Sequence, residues 1–273
     1  MTFLQTLIIA IVQGVTELFP VSSVAHSVFT PYVFQWKLDP QFLQDNFLPY
    51  VVMLHLGTAL ALLVFFRDEW ISIIRSILNS QKRDSLRLLL LILAGTIPAA
   101  IIGVILEKPL THLFSNVTSA SIFLMVNGLL LYFGEKIKSR GKKHINELSY
   151  GQAIIVGLFQ SLALVPGFSR SGASITAGFW MGLKHEEAAR FSMLLATPII
   201  AGASVLEIPK LIKHGSHGLL LTSLTGGLFA GVFAFIAVSI LMRWFRKKEI
   251  SAMKPFAYYC WIVGGLILLT RLI

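Results

Sequence analysis

FLQTLIIAIVQGVTELFPVSSVAHSVFTPYVFQW, residues 3 to 36, is apolar for most of its length but is broken by Phe19-Pro20-Val21, with Glu17 before the break and Ser22 and Ser23 after it. Proline removes a backbone donor and clashes with the preceding turn, so the segment divides into two legs, Thr2 to Leu18 and Ser22 to Trp36. As helices the legs are roughly 20 to 26 Å long, against roughly 30 Å of hydrocarbon core. Neither crosses alone. YGQAIIVGLFQSLALVPGFSRSGASITAGFWMGL, residues 150 to 183, has the same build, with legs Tyr150 to Val165 and Ser171 to Leu183 around Pro166-Gly167. Both read as re-entrant helix, loop, helix segments. Among the charged side chains, Glu17 and Arg170 sit in the middle of these apolar stretches, where ionisable groups are costly, and the pair is the first candidate for function.

The rest of the chain sets the solvent. Mean hydropathy is +0.76, and 55% of the residues are hydrophobic with only 13% charged, about half the charge of an ordinary soluble domain. Apolar runs over residues 48 to 66, 88 to 106, 117 to 134, 191 to 206, 219 to 242 and 255 to 273 predict six transmembrane helices, the fourth kinked at Pro198. The opening MTFLQTLIIA has no basic leader or small-residue cleavage site and is expected to belong to the mature fold. A lone cysteine, Cys260, excludes an intramolecular disulfide, and no Cys/His cluster has zinc spacing.

The net charge of +10 is placed in loops. Arg67, Arg75, Lys82, Arg83 and Arg87 form one cluster; Lys136, Lys138, Arg140, Lys142 and Lys143 a second; Lys184 and Arg190 a third; Arg243, Arg246, Lys247, Lys248 and Lys254 a fourth. The positive-inside rule puts all four in the cytoplasm, and such loops set topology rather than bind nucleic acid. Residues 3 to 36 then start and finish outside, and residues 150 to 183 inside. Gln13 before Pro20 matches Gln160 before Pro166, and Thr96-Ile97-Pro98 followed by Gly103 matches Thr197-Pro198 followed by Gly202. The expected fold is a single all-α polytopic membrane domain over 1–273. It holds an inverted-topology repeat, 1–135 against 150–273, whose broken segments meet near the midplane.

Two helix N-termini with serines at their start, and Arg170 between them, make a cradle for phosphate oxygens. Gly167 and Gly172 are expected to let backbone approach the ligand, with Ser169, Ser171 and Ser174 as neutral donors. Ser23 and His26 are three apart and share a helix face, the arrangement that activates a serine nucleophile. Glu17 is read as orienting His26, acting as base, or holding a divalent cation. His55, inside the span LPYVVMLHLG, is read as a helix contact.

QGVTELFPVSSVAH at 13 to 26 and PGFSRSGASITAG at 166 to 178 resemble the two signature motifs of the bacterial undecaprenyl pyrophosphate phosphatase family, the polytopic bacitracin-resistance type, and the likeness covers essentially the whole chain. It implies hydrolysis of undecaprenyl pyrophosphate to the monophosphate carrier of peptidoglycan synthesis, at the outer face of the bacterial cytoplasmic membrane. The resemblance maps two acidic or amide positions onto Gln13 and Glu17, a serine pair onto Ser22 and Ser23, a histidine onto His26, and an arginine with flanking serines onto Arg170, Ser169 and Ser171. A divalent cation, Mg2+ or Ca2+, is expected from the family alone. Gln13 stands where many members have an acid, Val24 and Ala25 replace a small hydroxyl and a glycine, and Ser174 replaces a frequent threonine. Expected partners are the polyprenyl pyrophosphate, membrane lipids and, as one option, a second copy in a homodimer; nucleic acid is not expected. Ser23 is the preferred nucleophile, with His26 or a water activated by Glu17 as alternatives. The rival reading is a polyprenyl-phosphate transporter or flippase using the same phosphate site.

Overall fold

The computed structural model describes residues 2–39, 42, 46–78, 83–110, 116–137, 141–214, 217–248 and 251–272. Lys82, Lys138 and Arg140 of the basic clusters lie outside them. The described residues are helical, with two isolated bridges, Lys143 to Leu183 and Pro166 to Phe168, and no strand. The helices are α1 (Phe3–Thr16), α2 (Ser23–Val33), α3 (Phe47–Phe65), α4 (Arg67–Leu78), α5 (Arg83–Leu110), α6 (Val117–Ile137), α7 (Tyr150–Gln160), α8 (Arg170–Trp180), α9 (His185–His214), α10 (His217–Lys247) and α11 (Lys254–Leu272).

Five of them, in α3, α5, α6, α9 and α10, are long and apolar enough to cross a membrane. The chain is a multi-pass membrane protein. The expected sixth span coincides with α11, which has 19 residues and is not among those five. The run 191 to 206 proves to be the middle of a 30-residue helix that continues through Pro198 and Pro209. One element was not expected: α4, inside the first basic loop, starts with Asp68 and Glu69 and leaves Ile71, Ile74, Ile77 and Leu78 exposed.

The two broken segments stay short. Helices α1, α2, α7 and α8 have 14, 11, 11 and 11 residues, so each is roughly 16 to 21 Å long. Thr2 and Ser149 open α1 and α7 with capping boxes, closed by Gln5 and Gln152. Helix α8 is buried from Ser171 to Phe179 and packs on α6, α7 and α9, while α1 packs on α2 and α10. Where helices touch, glycine permits the approach: a Cβ on Gly57 would run into the carbonyl of Gly227, and one on Gly157 into that of Gly95. On the far side from the tips, buried Glu135 accepts the N–H groups of Ala252 (2.6 Å) and Met253 (3.0 Å) and meets His185 Nε2 at 3.2 Å, pinning the start of α11 to α6 and α9.

Candidate active site

The first tip is residues 17 to 22, between α1 and α2; the second precedes α8. Ser22 caps α2, accepting from Ala25 N, and adopts φ 66°, ψ 97°, a left-handed backbone that is uncommon without glycine and that concentrates at functional sites. Ser169 caps α8 by accepting from Gly172 N at 3.1 Å. The tips touch directly where Ser171 Oγ donates to Phe19 O at 3.1 Å.

Glu17 and Arg170 meet there. Arg170 Nη2 and Nε lie 3.2 and 3.4 Å from Glu17 Oε1, and Nη1 donates to Ser192 O at 3.0 Å. Both side chains are buried or nearly so, so the pair has to be matched and hydrogen-bonded to persist. The other carboxylate oxygen, Oε2, accepts from Ser23 Oγ at 2.6 Å and from Gln13 Nε2 at 3.3 Å. The Ser23 hydroxyl is thus held by an acid from across the proline break.

His26 is not its partner. Its Nδ1 turns back to Ser22 O at 2.7 Å and its Nε2 meets Tyr259 Oη at 2.8 Å on α11. Sharing a helix face with Ser23 did not decide which way the ring points. The imidazole beside Ser23 is instead His55, read from the sequence as a helix contact. Its Nδ1 donates to Val51 O at 2.7 Å, and its Nε2 sits 3.0 Å from Glu17 Oε2 and 3.4 Å from Ser23 Oγ. An ionisable side chain within a membrane span was the signal that could have found it.

The remaining candidates divide. Ser22, Ser23, Ser169 and Arg170 line the cavity described below, whereas Gly167 and Gly172 do not. Gly167, at φ +113°, lies against Phe123 and Ala120 of α6, and Gly172 against Leu131 and Pro20. These glycines let protein, not ligand, come close. Ser174 Oγ donates to Arg170 O at 2.8 Å and meets Ser192 Oγ at 2.6 Å, and so supports the arginine from behind. Asn127, which no sequence pattern singled out, is fully buried on α6. Its Nδ2 donates to Pro20 O and its Oδ1 accepts from Ser169 N, both at 3.0 Å, so that one side chain holds both tips.

A cavity of about 530 Å³ opens from this cluster. Glu17, Ser23, His55 and Arg170 line it together, and the rest of the lining is mostly apolar residues of α3, α5 and α9, with Gln160, Ser161 and the buried Glu207 as further polar members. The expected divalent cation does not find a ready-made ligand set: among the described residues no three His, Cys, Asp or Glu side chains come together. The Glu17 carboxylate is already engaged by Arg170, Ser23, Gln13 and His55. Gln13 Oε1, buried and without a partner among the described residues, is a single neutral acceptor.

The fold and this cluster define a multi-pass membrane protein with a buried serine, carboxylate and guanidinium centre beside a largely apolar cavity. Residues 6–266 match the family described as bacitracin resistance protein BacA, and the chain belongs to that family. It is 59% identical over 264 residues to undecaprenyl-diphosphatase 2 of Oenococcus oeni, covering 97% of each chain. It is 46% identical to undecaprenyl-diphosphatase 2 of Chromobacterium violaceum, covering 100% of each, and 44% identical to the undecaprenyl-diphosphatase of Acidiphilium cryptum, covering 98% of each.

Proposed function

We propose that the protein hydrolyses undecaprenyl pyrophosphate to undecaprenyl phosphate and inorganic phosphate. The observation that carries the reading is the 2.6 Å hydrogen bond from Ser23 Oγ to Glu17 Oε2, beside Arg170 and a largely apolar cavity, in a chain whose relatives bear that enzyme's name. Ser23 Oγ attacks the distal phosphorus as its proton passes to Glu17. The Oγ–P bond forms while the bond from that phosphorus to the bridging oxygen breaks, and undecaprenyl phosphate leaves without needing an acid. The departing undecaprenyl phosphate takes up the proton from Glu17 once the bridging bond is broken, so Glu17 is a carboxylate again when water attacks the phosphoserine. Water gives its proton to Glu17 as the P–Oγ bond breaks, and that proton returns to Ser23 Oγ. Arg170 and first-turn N–H groups of α2 and α8 stabilise the equatorial oxygens. Because Glu17 Oε1 and the phosphate compete for the same guanidinium, substrate entry loosens the ion pair and frees the carboxylate to act as base. This assigns proton acceptance to Glu17 rather than His26.

The topology that goes with this reading is six spans, with α11 as the sixth, and two re-entrant segments entering the cytoplasmic membrane from opposite faces in an inverted repeat. The first segment opens the site to the outside. In support, all four helices of these segments are short, and a capping serine begins the second helix of each. Phosphate release from undecaprenyl pyrophosphate by detergent-purified protein tests the activity. Binding without release would replace it with the transport reading, and thiol labelling of single cysteines placed in the basic loops tests the orientation.

A further inference from the structure

Glu17 Oε2 has a partner that the chemistry at the tips does not use. Beyond Ser23 and Gln13, His55 Nε2 lies 3.0 Å from it, with the same nitrogen 3.4 Å from Ser23 Oγ. His55 comes from α3, outside both broken segments, and its ring is fixed by Nδ1 donating to Val51 O at 2.7 Å, one turn back. With that hydrogen on Val51 O and only carboxylate lone pairs in front of Nε2, the ring meets both neighbours as a donor. A buried pair of imidazole and carboxylate is not by itself the argument, since His185 and Glu135 form another. There both carboxylate oxygens are taken by backbone N–H groups at the start of α11, and neither residue lines the cavity. His55 and Glu17 both do. Around Glu17 the donors are Nε and Nη2 of Arg170 on Oε1, and Ser23 Oγ, Gln13 Nε2 and His55 Nε2 on Oε2. These fill the roughly four acceptor positions of a carboxylate. A divalent cation needs oxygen ligands that can turn to it, and here it would have to displace His55 and sit beside a guanidinium of its own sign.

We infer that His55 takes the place beside Glu17 that a divalent cation would hold, so that this site works with the protein's own positive charges and needs no resident metal. The inference rests on the phosphatase reading for the reaction it serves. His55 is a positioning residue in it. When the phosphate draws Arg170 away from Oε1, His55 stays on Oε2, keeps the carboxylate against Ser23 Oγ and leaves its charge compensated. Arg170 is able to turn to the substrate because His55 does not. Gln13 fits the same arrangement. A second acid at that position would face Oε2 across the 3.3 Å that the amide now bridges, and would repel it unless a cation lay between them; the amide donates instead.

The experiment strips the purified protein of metal and compares phosphate release from undecaprenyl pyrophosphate in EDTA and in Mg2+, beside Mn2+ binding to the substrate-free protein followed by electron paramagnetic resonance. The wild type should release phosphate at rates within about threefold of each other under the two conditions and should bind no Mn2+. His55→Gln keeps an amide donor for Oε2 but loses the charge. Its ratio of rates in Mg2+ and in EDTA should rise about tenfold or more, through kcat rather than KM. Gln13→Glu combined with His55→Gln trades a positive ring for a second carboxylate and should bind Mn2+, which then raises its unfolding midpoint. His26→Gln, an imidazole lost from the same tip, should keep the wild-type ratio. A wild type silent in EDTA and active in Mg2+, or one that binds Mn2+ unaided, overturns the inference, and this arm decides alone if His55→Gln does not fold. So does a ratio that stays constant in His55→Gln, or one that rises equally in His26→Gln. If the wild type releases no phosphate under either condition, the phosphatase reading fails instead, and Mn2+ binding then decides: confined to the double variant it supports the place given to His55, and any other pattern overturns it.

Discussion

The tip between α1 and α2 and the tip before α8 solve one backbone problem in opposite ways. Each turns a chain inside an apolar environment and begins a short helix with a capping serine. The first tip puts its left-handed residue at Ser22, where a side chain is uncomfortable. It holds that residue with the Ser22 cap and with His26, whose Nδ1 donates to the Ser22 carbonyl. The second tip uses Gly167 and wedges it against α6. In the mechanism proposed above, the first carries the nucleophile and the acceptor and the second the cation. On that mechanism, strain is stored on the side that has to aim an oxygen at phosphorus, and the side that only supplies charge is fixed by packing.

Removing charge from one tip at a time should break the comparison most severely. Glu17→Gln and Arg170→Met should each abolish phosphate release, by about a thousandfold or more. Glu17→Gln should also destabilise the protein by about 3 to 5 kcal/mol, because Arg170 loses its carboxylate, and Arg170→Met by less, because His55 Nε2 stays 3.0 Å from Glu17 Oε2; the double variant should regain part of that stability with no activity. Thermal unfolding in detergent, read beside phosphate release, separates the two effects. Next, Ser23→Ala should lose about as much activity with little change in unfolding, while His26→Ala should retain a measurable fraction, since His26 touches Ser22 and Tyr259 and not the nucleophile. Equal losses in Ser23→Ala and His26→Ala would restore the imidazole to the proton path.

Asn127→Asp sharpens the comparison by loosening one tip only. The aspartate can still accept from Ser169 N but sets an oxygen against Pro20 O in place of a donor. We expect a fall of about ten- to a hundredfold in kcat, recovered little by added substrate, because the nucleophile tip is the one released. Steady-state kinetics check this; an effect confined to KM would mean that the second tip had moved. The smallest effects concern the left-handed residues. Gly167→Ala should cost about 1 to 3 kcal/mol, since its Cβ would lie 2.5 Å from Phe123 Cβ and its φ is +113°. Ser22→Gly should change stability by less than about 1 kcal/mol, the relief of φ offsetting the lost cap. Unfolding midpoints of the two variants measure that difference.

Much of this was legible beforehand because proline and charge are loud signals in an apolar chain. Pro20 and Pro166 mark the breaks, and Glu17 and Arg170, opposite charges in apolar segments, mark each other as partners. What was hidden depended on the packing of distant helices. His55 and Asn127 reach the tips from α3 and α6, and no local periodicity records which residues of another helix arrive there. The Ser23 and His26 spacing misled because i, i+3 fixes a shared face and not a ring orientation, and a carbonyl one turn back is a nearer acceptor. Helix α4 was hidden by the charges that mark it as a loop.

The pin made by Glu135 at the start of α11 bears on the order of assembly. Synthesis produces α1 and α2 first and α11 last, yet α1 packs on α10 and His26 bonds to Tyr259 of α11. The earliest segment therefore cannot take its final place until the final helices have been inserted and clamped beneath it. On this packing the middle of the chain can settle before its two ends, which meet last.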